Sequence, residues 1–197
     1  MQMWRIMKVK LEDIATVQAG YSFRSRLESL ETGAVAVIQM KDLTSTNRVD
    51  CSELARVDME VPKEHHLVRP GDLIFRSRGL ISNSALLIDE PGVAVLAAPL
   101  LRIRITSKKL LPEYLNWYIR QQPAQAYLTS CAAGTALKMI SKQSLENMEL
   151  FVPPLDRQNL IVELAALEEE EQRILKTLAE KRIQYVSKTL LQIAQGD

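Results

Sequence analysis

The last fifth of this 197-residue chain constrains its fold more than any other stretch. Residues 155–195 contain neither proline nor glycine; they follow Val152-Pro153-Pro154 and precede Gly196. Proline is tolerated at a helix start, and glycine commonly follows a helix end. Leucine, alanine, glutamate and other good helix formers dominate between these signals. The stretch therefore predicts one helix about 60 Å long, at roughly 1.5 Å per residue.

The apolar residues of this helix follow heptad spacing. In steps of four, three, seven, four and seven positions they are Leu160, Leu164, Leu167, Ile174, Leu178 and Tyr185. Glu171 and Lys181 occupy the seam positions between them, and the outer faces are charged. This pattern is typical of a coiled-coil strand that needs a partner helix. The alternative is a solvated amphipathic helix that folds back on its own domain.

The charge is unevenly divided along the chain. Residues 1–155 carry 19 Lys and Arg against 16 Asp and Glu, a net charge of +3. Residues 156–197 carry 6 against 8, a net charge of −2. A mildly basic globular part suits a nucleic-acid surface without requiring one. The start of the chain has no apolar run like that of a signal peptide, and no segment approaches the ~20 apolar residues of a membrane span. We therefore expect a cytoplasmic protein.

Ahead of the helix, the pattern mixes short strands and helices. Residues 10–17 predict a short helix, and a loop with Gly20 follows. Runs rich in valine, isoleucine and leucine predict strands within residues 34–40, 73–75, 85–88, 93–96 and 100–105. From Pro112 the pattern becomes helical, and residues 145–152 predict a last short helix and strand. The fold class is α+β, with a globular domain over residues 1–152 and a coiled-coil helix over residues 153–197.

The order of several segments resembles one family, the DNA-specificity (S) subunits of type I restriction–modification systems. The matching segments cover nearly the whole chain, in order: residues 10–15 (KLEDIA) with Gly20, 37–43 (VIQMKDL), 70–79 (PGDLIFRSRG), 111–115 (LPEYL), 134–136 (GTA) with Ile140-Ser141, and 152–158 (VPPLDRQ). The resemblance implies that the globular part is a target-recognition domain that reads half of a split DNA site. It implies that the helix is a spacer that binds methyltransferase subunits.

Full-length members of that family carry two recognition domains and two such helices, whereas this chain has one of each. It therefore resembles a half-size S subunit, and we expect a homodimer through antiparallel C-terminal helices. The partners that the resemblance implies are double-stranded DNA, adenine-N6 methyltransferase subunits and, where one exists, a restriction subunit. A twofold dimer would read an interrupted palindrome.

Side chains that contact DNA are expected in the predicted loops. Arginine reads guanine, asparagine and glutamine read adenine, and lysine or serine anchors phosphates. The candidates are Arg24, Arg26, Gln39, Lys41, Arg76, Arg78, Ser82, Asn83 and Lys138. For each of them the alternative is an ordinary surface side chain.

The sequence favours a non-catalytic chain. His65 and His66 are adjacent, so their side chains diverge and a shared metal ion is not expected. Asp72, after Pro70-Gly71, lacks the second acid and the lysine of a nuclease motif, and Val152-Pro153-Pro154 lacks the Asn or Asp that a methylating motif needs. We therefore predict no catalytic residue, metal or cofactor. The competing hypothesis is a coiled-coil scaffold protein whose basic domain binds protein rather than DNA.

Overall fold

The computed structural model describes residues 7–23, 30, 32–60, 62–79, 83–132 and 139–195. The pattern of contacts between residues divides the chain into two compact units, residues 1–158 and residues 159–197. Among the described residues, no helix is both long and apolar enough to cross a lipid bilayer.

Nine strands and four α-helices make up the described fold. The strands are β1 (Met7–Lys10), β2 (Ala15–Ala19), β3 (Val35–Ile38), β4 (Ala55–Val57), β5 (Leu73–Arg76), β6 (Ser84–Leu86), β7 (Ala94–Leu96), β8 (Leu100–Ile105) and β9 (Glu149–Val152). The helices are α1 (Pro112–Ile119), α2 (Gln122–Cys131), α3 (Lys142–Glu146) and α4 (Leu155–Gln195). Single 3₁₀ turns lie at Leu11–Asp13, Met40–Asp42 and Glu64–His66. The expected α+β class is confirmed.

The strands form three sheets. Strands β2, β8, β5 and β6 form an antiparallel sheet in that order. Strand β3 pairs antiparallel with β4 and parallel with β7 in a second sheet. Strands β1 and β9 form an antiparallel pair, with Met7 opposite Val152. This last pairing joins the first described residues to the segment that leads into α4.

The main core lies between the two larger sheets. Ala36, Ile38 and Leu96 of the three-stranded sheet pack in one cluster with Ile74 and Ala85 of the four-stranded sheet. All five are buried. The continuous apolar runs that predicted these strands therefore reflect strands buried within the domain, as such runs usually do.

One predicted element is wrong. Residues 10–17 form a strand end, one 3₁₀ turn and strand β2, rather than a helix. Ala15 and Val17 are buried while Thr16 is exposed, which is the alternation of a half-buried strand. Pairing with β8, in which Ala15 lies opposite Ile105, overrides the weak helical pattern of Leu11, Ile14 and Ala15.

Helix α4 begins three residues after Val152. Gln158, in its first turn, is fully buried: its Oε1 accepts the backbone N–H of Leu111 at 2.9 Å. Its Nε2 donates to the carbonyl oxygens of Lys109 and Pro153, each at 2.7 Å. This one amide side chain therefore satisfies three backbone groups of residues 109–153, which explains why the compact unit extends to residue 158.

Candidate nucleic-acid interface

Several strands begin or end at one end of the globular unit, which we call the loop end. It comprises residues 20–21, 39–42, 76–79, 83, 96–100 and 139–140. The N–H of Ala97 donates to Ile38 at 2.9 Å, and Arg76 lies opposite Leu100 in the sheet register. The N–H of Ile140 donates to the carbonyl oxygen of Ser77 at 2.8 Å. Segments that are distant in sequence therefore converge on one surface.

The 3₁₀ turn Met40–Asp42 is fixed by its acidic residue. The carboxylate of Asp42 accepts a hydrogen bond from the N–H of Gln39 at 2.7 Å. The backbone N–H of Asp42 donates to the carbonyl oxygen of Gln39 at 3.1 Å. Burial raises the pKa of Asp42. Lys41, at the centre of this turn, is exposed. The turn thus holds a lysine and a half-buried glutamine at the edge of the core.

Arg76 and Arg78 differ in their surroundings. Arg76 is half-buried, and its Nη2 donates to the carbonyl oxygen of Met40 at 3.1 Å, which joins β5 to the 3₁₀ turn. Its Nε is buried without a hydrogen-bond partner among the described residues. Arg78 is exposed, and its backbone forms a bridge with Met139. Of these two arginines, Arg78 is therefore the more accessible to a ligand, while Arg76 also supports the loop.

Ser77 and Asn83 form hydrogen bonds that support the backbone of the loop end. The Ser77 hydroxyl donates to the carbonyl oxygen of Pro99, and the carbonyl oxygen of Asn83 accepts the N–H of Arg76 at 2.9 Å. The side-chain oxygen of Asn83 is buried and has no hydrogen-bond partner within the described ranges. The backbone of Asn83 therefore belongs to the support of the loop, and its side chain is only partly accessible.

An aromatic cluster at the loop end was not predicted. The Tyr21 ring lies 4.9 Å from that of Phe23 and 5.7 Å from that of His66. The rings of His65 and His66 are 4.2 Å apart, so the expectation that these adjacent side chains diverge is wrong. Tyr21 is held by backbone hydrogen bonds to Leu96 and Ala98. Burial, together with the charges of neighbouring cations, lowers the pKa of His66. The sequence signal was limited to adjacent histidines, and no periodicity relates residues 21 and 66.

Gly20 makes the position of Tyr21 possible. A β-carbon at residue 20 would lie 2.8 Å from the backbone carbon of Ala97, closer than real side chains come. The N–H of Gly20 donates to the carbonyl oxygen of Leu100 at 2.8 Å. Glycine is therefore required directly after β2, because only a residue without a side chain can approach the segment between β7 and β8 this closely.

The segment Pro70-Gly71-Asp72 is structural. Gly71 has a φ of 89°, and the N–H of Asp72 donates to the carbonyl oxygen of Arg69 at 3.1 Å, as in a type II turn. Asp72 is 1% exposed, and Arg104 donates to both of its carboxylate oxygens at 2.7 Å. The carboxylate therefore anchors β8 to the turn before β5. The described part of the chain brings no three His, Cys, Asp or Glu side chains together as a metal-binding group.

The structure brings together five of the nine predicted DNA contacts. Gln39, Lys41, Arg76, Arg78 and Asn83 all lie at the loop end. The other four, Arg24, Arg26, Ser82 and Lys138, lie outside the described residues. Cations and amides on one surface are the groups that contact phosphates and base edges in duplex DNA.

The second unit presents a different surface. The six predicted seam residues of α4 are all exposed, with fractional exposures of 53% for Ile174 to 72% for Tyr185. Further apolar residues are equally exposed, and heptad counting did not include them: Leu175, Ile183, Val186, Leu190, Leu191 and Ile193. A helix with so much exposed apolar surface is typical of a protein–protein contact.

Comparison with known proteins agrees on one family. The sequence profile described as "Type I restriction modification DNA specificity domain" matches residues 3–181. The fold is similar to the S subunit of a type I restriction–modification system from M. genitalium, with a TM-score of 0.59, 11% identity and 91% of this chain covered. It is also similar to the HsdS subunit from Thermoanaerobacter tengcongensis, with a TM-score of 0.59, 21% identity and 85% covered.

A third similar structure, described as showing complex assembly and conformational transition of the type I R-M system, gives a TM-score of 0.62 with 20% identity over 88% of this chain. The chain spans only 43%, 38% and 39% of the length of these three solved chains. No curated protein sequence matches it.

Proposed function

This chain belongs to the type I restriction modification DNA specificity family, and we propose on that basis that it is a non-catalytic targeting subunit. Residues 1–152 read one half of a split DNA site. Residues 153–197 pair with a second copy and carry the adenine-N6 methyltransferase subunits, together with a restriction subunit where the system has one. No catalytic residue is assigned to the chain.

The observation that carries the proposal is the convergence at the loop end. Exposed Lys41 and Arg78 lie there with Gln39 and Arg76, and two separate segments of the chain supply these four residues. The supporting hydrogen bonds fix the backbone of the loops, so the segments that carry the donors are pre-positioned rather than ordered on binding. A fixed set of donors favours one base sequence over others, because a wrong base leaves a donor unpaired.

The proposed dimer rests on the exposed side chains of α4. The chain spans less than half of each solved S-subunit structure that it resembles, and its helix leaves a row of leucine and isoleucine side chains exposed. Two copies with antiparallel helices would supply two recognition domains and two spacers. Such a dimer presents the same reading surface twice and would bind an interrupted palindrome.

The methyltransferase assignment is tested by purification from native cells. The tagged chain is captured at physiological salt, and the proteins that come with it are identified by mass. We expect an adenine methyltransferase to co-purify, and methylated adenines mapped in the genome to fall in one split motif. Capture of the chain only with itself, or with proteins unrelated to DNA, would contradict the assignment.

The same exposed helix also favours the scaffold hypothesis. A measurement of DNA binding distinguishes a scaffold from a DNA-reading subunit. A DNA reader loses affinity steeply as salt rises, because phosphate contacts release counterions. We expect the purified chain to bind duplex DNA with a preferred sequence and a steep salt dependence. A chain that dimerises but binds no duplex at low salt is a scaffold.

A further inference from the structure

Two charged positions in the seam of α4, Glu171 and Lys181, are arranged symmetrically about the middle of the helix. Steps of four and three residues from Leu160 lead through the apolar seam to Glu171, Lys181, Lys188 and Gln192. Glu171 lies five residues before Lys176, and Lys181 lies five residues after it. Lys176 itself is off the seam, one residue from the middle of the helix Leu155–Gln195.

Four of the six apolar seam residues share this centre. Ile174 and Leu178 lie two residues before and after Lys176, and Leu167 and Tyr185 lie nine residues before and after it. Facing helices in an antiparallel coiled coil place such symmetric positions opposite each other. With Lys176 at the centre, each helix therefore meets its partner with Ile174 against Leu178 and Leu167 against Tyr185. Glu171 then lies against Lys181.

We propose that a second copy of this chain packs antiparallel along α4 in this register, so that Glu171 of each copy forms an ion pair with the partner's Lys181. The inference rests on the proposed homodimer and specifies its orientation and register. The two ion pairs flank the central Ile174–Leu178 contacts. Polar residues at seam positions commonly set the register of a coiled coil in this way.

The charges of α4 support this orientation. In a parallel pair, Glu171 would face the partner's Glu171 and Lys181 would face the partner's Lys181, so both contacts would be repulsive. Glu170 is already engaged by Arg173, whose Nε donates to it at 2.7 Å. Within the described ranges, the side chains of Glu171 and Lys181 take part in no hydrogen bond or ion pair. Both are therefore available to a partner.

Neighbouring registers fit less well. A shift of one heptad in one direction places Glu171 against Ile174 and Leu164 against Lys181, so charges meet apolar side chains. A shift in the other direction pairs Glu171 with Lys188 but leaves Lys181 against Leu178, and only one contact between apolar seam residues remains. The centred register places Lys188 against Leu164, but it keeps two different apolar contacts together with the ion pair. The centred register also overlaps the two helices over nearly their whole length, since its centre lies one residue from the helix middle.

The test measures the dimer dissociation constant by sedimentation equilibrium, for single variants alone and mixed. Glu171→Lys and Lys181→Glu each replace two attractive contacts by two repulsive ones, and each should weaken the dimer about tenfold or more. A one-to-one mixture of these two variants should restore dimerisation to near the wild-type level, because the heterodimer regains both ion pairs. Lys188→Glu alone is the matched control and should dimerise like the wild type, because Lys188 faces Leu164 in the centred register.

Each outcome of this test either supports or overturns the proposed register. Weakened Glu171→Lys and Lys181→Glu variants, recovery in their mixture and an unaffected Lys188→Glu variant support the centred register. A Lys188→Glu variant that is weakened as much as Glu171→Lys, or Glu171→Lys and Lys181→Glu variants that dimerise like the wild type, overturns it while the proposed dimer stands. A wild-type chain that is monomeric at micromolar concentration overturns the dimer itself. Circular dichroism of each variant checks that the helix is retained, as expected because lysine and glutamate are both good helix formers.

Discussion

Leucine, isoleucine and aromatic residues have opposite environments in the two units of this molecule. In the globular unit Phe75, Leu115 and Leu128 are fully buried, whereas in the second unit Leu167 and Tyr185 are 68% and 72% exposed. What differs is that the globular chain folds its apolar faces against one another, and the single helix has no second layer within its own unit.

This difference indicates where each unit obtains its stability. The globular unit has its own core and should fold without a partner. Helix α4 gains little from intrinsic helix propensity alone, because isolated helices depend on packing of an apolar face. The comparison therefore predicts that core substitutions act on folding, loop-end substitutions act on DNA binding, and seam substitutions act on assembly.

The largest effect is expected in the core. Phe75→Ala should lower the free energy of unfolding by about 3–5 kcal/mol, because it removes a buried ring and leaves a cavity. Leu178→Ala is the matched control in the helix and should leave the unfolding of the globular unit nearly unchanged while it weakens the dimer. Chemical denaturation followed by tryptophan fluorescence measures the first quantity. Equal destabilisation by both variants would remove the distinction between the units.

Loss of the buried carboxylate should have the next largest effect. Asp72→Asn removes the charge that Arg104 contacts through two hydrogen bonds, and it should cost about 2–4 kcal/mol of unfolding free energy. The control is Glu149→Gln, which breaks an exposed ion pair with Lys8 and should cost less than about 1 kcal/mol. If Asp72→Asn were as mild as the control, the turn before β5 would not depend on this ion pair.

At the loop end, Arg78→Ala should act on DNA rather than on the fold. It should weaken specific DNA binding by about 1–3 kcal/mol and relax the choice of base at one position if Arg78 reads a base. An equal loss for every sequence would assign it to a phosphate instead. Arg173→Ala, on the helix, should leave half-site affinity unchanged. Arg78→Ala with unaltered affinity for all duplexes would exclude this surface as the reading surface.

The smallest effect concerns His66. Its folded-state pKa lies below the ordinary value of 6.5, because burial and nearby cations disfavour the charged form. Its neutral form therefore contributes stability above pH 6.5, and that contribution is lost as the pH falls below this value. Comparing the melting temperatures of the wild type and His66→Gln from pH 7.5 to 5.5 should show the wild type losing more. Melting temperatures that fall equally in the wild type and in His66→Gln would contradict the lowered pKa of His66.

Most of the fold could be predicted from local pattern. The long helix was expected from the absence of proline and glycine, and strands β3, β5 and β8 from their apolar runs. Strand β4, which is only three residues long, has no such run and was not predicted. Strand β2 was wrongly expected to be helical, because its structure depends on pairing with β8, some 86 residues later. Short elements depend on distant partners that a local pattern does not contain.

The candidate site was predictable only in part. The loops that carry Lys41 and Arg78 could be found from strand ends and polar residues. The hydrogen bond from Arg76 to Met40 and the contact of Tyr21 with His66 could not, because each joins segments that are distant in the sequence. The sequence therefore identified candidate donors, and the fold divides them into exposed and supporting residues.

The most direct test of the central claim is selection of duplexes from a random DNA library by the purified chain. We expect two inverted copies of one half-site at a fixed separation. Deleting residues 173–179 removes one heptad around Lys176 and keeps the seam in phase. At ~1.5 Å per residue and ~3.4 Å per base pair, this deletion should shorten the separation between half-sites by about three base pairs. The half-site sequence itself should remain unchanged. A single unpaired half-site, no enriched sequence, or a deletion that alters the half-site would contradict the account.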